Sequence, residues 1–175
     1  MQAIQTVTVG SGGSTSIEFT SIAADYTDLK VVFSARSART GVNTDDVVFQ
    51  LNSSTSNQST RILWGTGSAA QSLTDTQPLI GEFPTATATA NTFGNYEVYI
   101  PNYRSSVAKS FSADGVSENN GTLAYAALAA GLYNSTDAIT SIKIKTGSGS
   151  NLVEHSTATL YGILAGSDGT TTVTT

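Results

Sequence analysis

The sequence predicts an all-β fold, a two-sheet sandwich or a barrel of nine or ten short strands. Apolar and polar residues alternate in many short segments, and Gly, Ser and Asn turns separate these segments. No segment has the apolar spacing of an amphipathic helix. Charged residues make up only 12% of the 175-residue chain, about half the usual share of a soluble domain. A chain of this length is expected to form one domain around one core.

The first half of the chain contains five predicted strands. They are "AIQTVTV" (3–9), "TSIEFT" (15–20), "LKVVFSA" (29–35), "VVFQLN" (47–52) and "RILWG" (61–65). The turn residues "GSGGS" separate the first two, and β-branched and aromatic residues dominate the next two.

The second half begins with a weak region and continues with clearer strands. Residues 65–92 contain Pro78 and Pro84 and have little periodicity, which predicts a long loop of the kind that is usually functional. Four further strands follow, within 95–103, 107–117, 139–147 and 156–163. The strand at 139–147 changes register at Thr140-Ser141, which predicts a β-bulge.

Residues 123–133, "LAYAALAAGLY", favour helix by local propensity, because Ala and Leu are strong helix formers. The alternation around them favours a strand instead, and small residues occur on both of its faces. We therefore predict a central strand packed between two layers.

Composition and charge exclude several functional classes. The net charge is -5 and the pI is about 4.6, whereas nucleic-acid binding needs clustered Lys and Arg. The chain has no cysteine, so neither a disulfide framework nor a thiolate metal site is expected. The N-terminus "MQAIQTVTVG" lacks the features of a signal peptide, and no apolar run suits a membrane helix. We expect cytoplasmic synthesis and no nucleic-acid or membrane partner.

The residues give little indication of catalysis. The one histidine, His155, adjoins Ser156, but adjacent residues of a strand point to opposite faces, so the two cannot act as a dyad. The same argument applies to the neighbouring carboxylates Asp45 and Asp46. We predict no enzyme activity, no catalytic residue, no cofactor and no metal site, and we rank a carbohydrate-active enzyme last for want of an acid/base pair.

Exposed aromatic side chains would indicate a sugar-binding surface. The candidates are Trp64, Tyr96, Tyr99 and Tyr103, of which Tyr96 and Tyr99 lie on opposite faces of their strand. We interpret most of the aromatic residues as core or subunit-contact residues. Trp64 and Tyr103 remain the candidate exposed aromatics.

Three segments in the second half of the chain form a recurrent pattern: "YIPNYRSSVAKSFSADGVSENN", "LAAGLYNSTDAITSIKI" and the closing "STATLYGI", with support from the earlier "TDLKVVFSARS" and "VVFQLNSS". In these segments, and over about residues 15–165, the chain resembles a set of small virion proteins of tailed bacteriophages. The resemblance implies an all-β jelly-roll sandwich of about 8–10 antiparallel strands, with little or no helix, over residues 1–165. It implies no catalytic residues. The recurrent residues, expected at core and turn positions, are Gly131, Leu132, Ala138, Ile139, Ile142, Leu160, Tyr161 and Gly162.

The resemblance implies a structural role in the virion, on the head surface or in the tail. Our first expectation is a capsid decoration or cement protein, a homotrimer that binds the major capsid protein and stabilises the shell. The alternative is a tail or head-fibre module that binds a receptor or a host-surface glycan. We expect a neighbouring chain to hold the C-terminal tail, 166–175, because polar termini are ordered only when they are tied down. The candidate inter-subunit contacts are Met1, Gln2, Val173, Thr174 and Thr175.

Overall fold

The computed structural model describes residues 1–54, 56–120 and 124–164, and the described residues form strands, turns and loops without a helix. The twelve strands are β1 (Gln2–Thr8), β2 (Ile17–Phe19), β3 (Asp28–Ala35), β4 (Thr44–Leu51), β5 (Gln58–Gly65), β6 (Ala70–Asp75), β7 (Leu79–Pro84), β8 (Gly94–Ile100), β9 (Lys109–Ser117), β10 (Tyr125–Tyr133), β11 (Ile142–Thr146) and β12 (Thr157–Ile163). Among the described residues there is no helix with the length and hydropathy of a membrane span.

The strands form two antiparallel sheets. The large sheet has the order β1-β12-β3-β8-β9-β10-β5-β6, and the small sheet has the order β2-β11-β4-β7. The inner faces of both sheets contribute to one hydrophobic core, so the fold is a β-sandwich as the sequence predicts.

Eight of the strands have the topology of a jelly roll, which confirms the predicted fold class. Moving inward from both ends of the chain, β1 pairs with β12, β2 with β11, β3 with β8 and β4 with β7. The strands alternate between the two sheets from β1 to β4 and again through β7, β8, β11 and β12, whereas β4 and β7 lie side by side in the small sheet. The arrangement is a long antiparallel ribbon rolled into two layers.

Two hairpins are inserted into the roll and extend its large sheet. The hairpin β5–β6 lies between β4 and β7 in the chain, and the hairpin β9–β10 lies between β8 and β11. They join next to β8 in the order β9-β10-β5-β6. We call these four the inserted strands. They explain why the strand number exceeds the predicted 8–10.

The prediction of one long loop over 65–92 is wrong, because this region contains β6 and β7. Strand β7 is buried on both faces over most of its length, so it lacks the alternation that reveals a half-buried strand. Its pairing with β4 is also irregular at Val47/Val48. Residues 85–93, between β7 and β8, form turns and irregular loop. There the guanidinium of the buried Arg36 donates to the carbonyl oxygens of Ala88, Thr89 and Thr92.

The region around β10 is a strand, but its environment differs from the prediction. Only one face of Tyr125–Tyr133 is buried, and the other face is exposed to solvent. The strand has a neighbour on each edge within its sheet, β9 and β5, but the small sheet covers only one of its two faces. The bulge predicted at Thr140-Ser141 is also wrong, since β11 begins only at Ile142 and Ile139 is a buried loop residue.

An aromatic cluster connects the two sheets. Phe33 stacks on Tyr96 at a ring-centroid distance of 5.1 Å, and Phe83 of the small sheet contacts both rings edge-on. The Tyr96 hydroxyl donates to the backbone carbonyl of Glu82 and accepts from its N–H. This pair of hydrogen bonds fixes the position of β7 over the large sheet.

Candidate functional site

The inserted strands carry an exposed apolar surface. Leu63, Val116, Leu128 and Leu132 are exposed by 57%, 47%, 58% and 39%, and all four point away from the small sheet. Leu63 lies directly opposite Leu128 in the β5–β10 register. We call these four residues the apolar patch. The outer face of a solvated sheet is normally polar, so an apolar patch here needs an explanation.

The patch arises from the alternation within β10. The central inward residues, Ala127, Ala129 and Gly131, are small, and the Phe111 ring occupies the position where a side chain of Gly131 would lie. Both leucines of the strand, Leu128 and Leu132, are on the outer face. Two shallow depressions flank Leu128, one toward Thr74 and one toward Val116.

Short, uncharged side chains surround most of the patch. Ser59 and Ser110 lie opposite Leu132, and Ser72 lies opposite Leu63. Asp114, opposite Leu128, is the charged residue among the direct cross-strand neighbours of the patch, and Arg61 lies farther along the same face, opposite Ala130. A surface of this kind suits contact with another protein, because little charge must be desolvated when it is covered.

A second feature lies on the inner side, where β4 meets β7. Asp46 and Glu82 are directly opposite in the register of these strands. Burial is the main cause that raises the pKa of Glu82 to about 8, and the charge of Asp46 and a hydrogen bond between the two carboxyl groups raise it further. Glu82 therefore keeps its proton near neutral pH.

The acidic pair lines a small pocket with mainly apolar walls and a volume of about 40 Å³. Trp64, Tyr125 and Leu73 contribute to these walls. The Trp64 Nε1 is buried and has no hydrogen-bond partner among the residues that the structure describes. The pocket could thus accept a small polar molecule that offers an acceptor to the indole.

The spacing of the acidic pair is unlike that of a glycoside hydrolase. Those enzymes hold their two carboxyl groups about 5 Å or more apart, so that the sugar or a water fits between them. Asp46 and Glu82 lie within hydrogen-bond distance of each other, which is closer than that spacing. The arrangement holds a proton on Glu82 and does not place an acid and a nucleophile on opposite sides of a substrate.

Asp45, the neighbouring acidic residue, is held by hydrogen bonds and an ion pair that connect parts of the fold. Its carboxylate is buried and accepts hydrogen bonds from Ser37 Oγ at 2.7 Å and from Ser148 Oγ at 2.6 Å. Arg39 forms an ion pair with it at 3.4 Å. Asp45 and Asp46 point to opposite faces, as predicted. In the described part of the chain, no group of three or more His, Asp or Glu residues is placed to hold a metal ion.

His155 and Ser156 do not act together. His155 is exposed in a turn with a φ of 72°, whereas Ser156 is buried and its Oγ accepts a hydrogen bond from the Arg36 N–H. The prediction that this pair is not a dyad is confirmed.

Neither candidate exposed aromatic is fully exposed. Tyr103 is buried, which makes that prediction wrong, and Trp64 is half-buried. Tyr103 is only 1% exposed, and its hydroxyl donates to the Ala23 carbonyl, because the chain folds back into the core after Pro101. Trp64 is half-buried against the core. The expected opposite orientation of Tyr96 and Tyr99 is confirmed, since Tyr96 is buried and Tyr99 is exposed.

The recurrent residues of the resemblance are mostly core residues. Ile139, Ile142, Leu160, Gly131 and Gly162 are buried. Leu132 is exposed and belongs to the apolar patch, which contradicts its expected core position.

The candidate inter-subunit residues lie partly outside the described residues. Met1 is exposed by 73%, and Gln2 begins β1, the edge strand of the large sheet. Val173, Thr174, Thr175 and the rest of the tail 166–175 fall outside the described ranges, so the expectation that a neighbouring chain holds them stays a prediction.

Neither the apolar patch nor the acidic pair was predicted from the sequence. The patch could have been found from β10 alone, where Leu128 and Leu132 share one face and Ala127, Ala129 and Gly131 share the other. The acidic pair had no such signal, since Glu82 lies in a strand that the sequence did not reveal. No protein-family model matches the chain, and no match was found among curated proteins or among solved structures.

Proposed function

We propose that the protein is a structural component of a bacteriophage virion, a decoration or cement protein that binds the outer surface of the head. One observation carries the proposal. Every exposed Leu or Val that lies in a described strand belongs to the inserted strands, as Leu63, Leu73, Val116, Leu128 and Leu132. The jelly roll itself is a compact scaffold, and the additional strands present an apolar surface.

The energetics of this surface favour a bound partner. Covering apolar surface contributes about 25 cal/mol for each Å² removed from water, and the polar rim around Leu128 carries few charges. A protein that binds only the assembled shell stabilises it by mass action, in proportion to its binding free energy. The resemblance to virion proteins and the jelly-roll topology support the same role.

The test is binding to phage heads that lack this protein, followed by heating of the heads. We expect the wild type to bind and to raise the temperature at which the heads lose their DNA. The double variant Leu63→Ser/Leu128→Ser should bind at least tenfold more weakly, because the centre of the apolar patch becomes polar.

The matched control is Val107→Ser. Val107 is exposed by 60% but lies in the loop before β9, away from the patch, so this variant should bind like the wild type. Heads that gain no stability on adding the wild type would exclude the cement role. Equal binding of the double variant would exclude the patch as the contact surface.

The pocket beside Glu82 supports a second candidate, a glycan-binding module on the tail or on a head fibre. An aromatic wall, two carboxyl groups and an unpaired indole N–H are groups that bind sugar hydroxyls. Glycan-array binding that is lost in Glu82→Ala would favour this function. Counting the copies in each virion separates the locations, since a cement protein accompanies the major capsid protein in number and a tail protein is far scarcer.

A further inference from the structure

We propose that β6 pairs with β6 of a second copy of this chain, antiparallel and around a two-fold axis at Ser72, so that two large sheets become one. The pairing does not require the virion role, and its test uses the purified protein. It concerns the edge of the sheet, whereas the apolar patch lies on its outer face.

Among the described strands, β6 is the last of the large sheet and pairs with β5 alone. Five of its six residues are exposed. The small sheet ends at β7 and does not extend over β6, which leaves Leu73 exposed by 41% on the inner side. The strand is thus open on both faces and along its free edge.

The hairpin turn determines which backbone groups point outward. The Thr66 N–H donates to the Ala69 carbonyl, and hydrogen-bonded positions alternate along an antiparallel pair. In the β5–β6 register, Gln71, Leu73 and Asp75 therefore bond to β5. The remaining residues of the strand, Ala70, Ser72 and Thr74, direct their N–H and C=O groups away from it.

This edge lacks the features that normally prevent strand addition. Natural edge strands carry Lys, Pro or a bulge that blocks pairing. The opposite edge, β1, has such an irregularity between Ala3 and Gln5. The β6 sequence, "AQSLTD", has no Lys or Pro, and its pairing with β5 is regular.

A second copy fits the free edge better than an arbitrary strand does, because the β6 sequence is compatible with itself. With the axis at Ser72, Ser72 faces Ser72 and Ala70 faces Thr74. All outward N–H and C=O groups are then paired. On the inner side Gln71 faces Leu73, and no like charges are opposed. Two-fold pairing of identical surfaces is also the commonest form of self-association.

The pairing has a consequence for the apolar patch. Opposed residues in an antiparallel sheet point to the same side, so both patches would lie on one continuous face. Leu63 is one strand away from Ser72, which places the two Leu63 side chains about three strand spacings apart, roughly 14 Å. A dimer would therefore present two patches to one partner surface and gain avidity.

Charge variants at the axis test the proposal by sedimentation velocity. We expect the wild type to be a dimer that dissociates on dilution. Ser72→Lys and Ser72→Glu should each be monomeric, because each places like charges opposite one another at the axis. An equimolar mixture of the two should form a dimer again, and this dimer should weaken with added salt.

Cysteine variants test the register, because the chain has no native cysteine. Facing residues of a hydrogen-bonded pair have Cα atoms about 5.5 Å apart, which is within the range for a disulfide. Ser72→Cys should form a covalent dimer on mild oxidation. Ser112→Cys, on the same outer face but within the sheet, should not.

Several outcomes would overturn the proposal. The first is a wild type that is monomeric at all concentrations or that is trimeric. The second is a Ser72→Lys or Ser72→Glu variant that remains dimeric by itself. The third is an equimolar mixture of these two variants that stays monomeric. A Ser72→Lys variant that is monomeric but still binds phage heads would separate this proposal from the proposed function. Unchanged near-UV circular dichroism shows that each variant is folded.

Discussion

At the scale of single residues, several glycines provide the space in which aromatic rings pack. A Cβ atom at Gly81 or Gly115 would overlap the Tyr96 ring, one at Gly131 would overlap Phe111, and one at Gly162 would overlap Tyr26. Gly115 lies directly opposite Tyr96 in the β8–β9 register. The ring thus lies flat over a strand that has no side chain at this point, which allows the sheets to pack closely.

We expect Gly115→Ala to lower the free energy of unfolding by about 1–3 kcal/mol, the usual cost of overpacking a core. The added methyl group displaces the Tyr96 ring and weakens its hydrogen bonds to Glu82. Urea denaturation measures the change. Gly10→Ala is the matched control, since nothing lies within 4 Å of its Cβ position. A loss as large in the control would contradict the explanation.

At the scale of elements, the acidic pair joins β4 and β7 in a pH-dependent way. Because the pKa of Glu82 is raised to about 8, from 4.5, the folded state keeps this proton at a pH where the unfolded chain has lost it. The free energy of unfolding therefore decreases as the pH rises from about 4.5 to 8. Asp45 and Asp46 on β4 oppose ionisation of Glu82. Tyr125 on β10 also faces these carboxyl groups, and burial raises its pKa.

We expect the wild type to be less stable at pH 9 than at pH 5 by about 2 kcal/mol, after allowing for partial solvent exposure of Glu82. Glu82→Gln should lose most of this dependence and be the more stable protein at pH 9, because an amide keeps the hydrogen bond without a charge. Urea denaturation at both pH values measures the effect. Glu154→Gln, an exposed site, should behave like the wild type. An unchanged pH profile in Glu82→Gln would exclude Glu82 as the source of the pH dependence.

The sequence predicts the positions of the strands better than it predicts which layers cover their faces. Strands with one buried face, such as Asp28–Ala35 and Lys109–Ser117, alternate clearly and were recognised. Strand β7 was missed because burial on both faces removes the alternation. The layer around β10 was predicted wrongly, because a pattern reveals which side chains share a face but not what covers that face. The acidic pair depends on the register between β4 and β7, which no local pattern determines.

At the scale of the whole molecule, the two ends of the described chain lie side by side. Strand β1 pairs with β12 along its length, and Val9 exchanges backbone hydrogen bonds with His155 and Ser156. The roll is therefore completed only when its first and last strands meet. Ile4 and Val7 pack against the core from this edge.

We expect deletion of residues 1–8 to lower the free energy of unfolding by about 2–3 kcal/mol, from the lost burial of Ile4 and Val7. The deletion also exposes β12 as a regular edge, which should promote aggregation. Thermal unfolding with light scattering measures both effects. The control is Thr6→Ala, which removes only the exposed hydroxyl contact with Thr159 and should change stability by less than about 0.5 kcal/mol. A truncated protein that is equally stable and remains in solution would contradict this account.

The insertion of the two hairpins also bears on how such a protein can diversify. Each hairpin lies in the chain between two strands of the jelly roll, so its outer residues can change while the nested pairing of the eight jelly-roll strands is preserved. A chimera with foreign β5–β6 and β9–β10 hairpins would keep the fold and acquire a different contact surface. Selection for a new partner could therefore act on these two short segments and leave the scaffold unaltered.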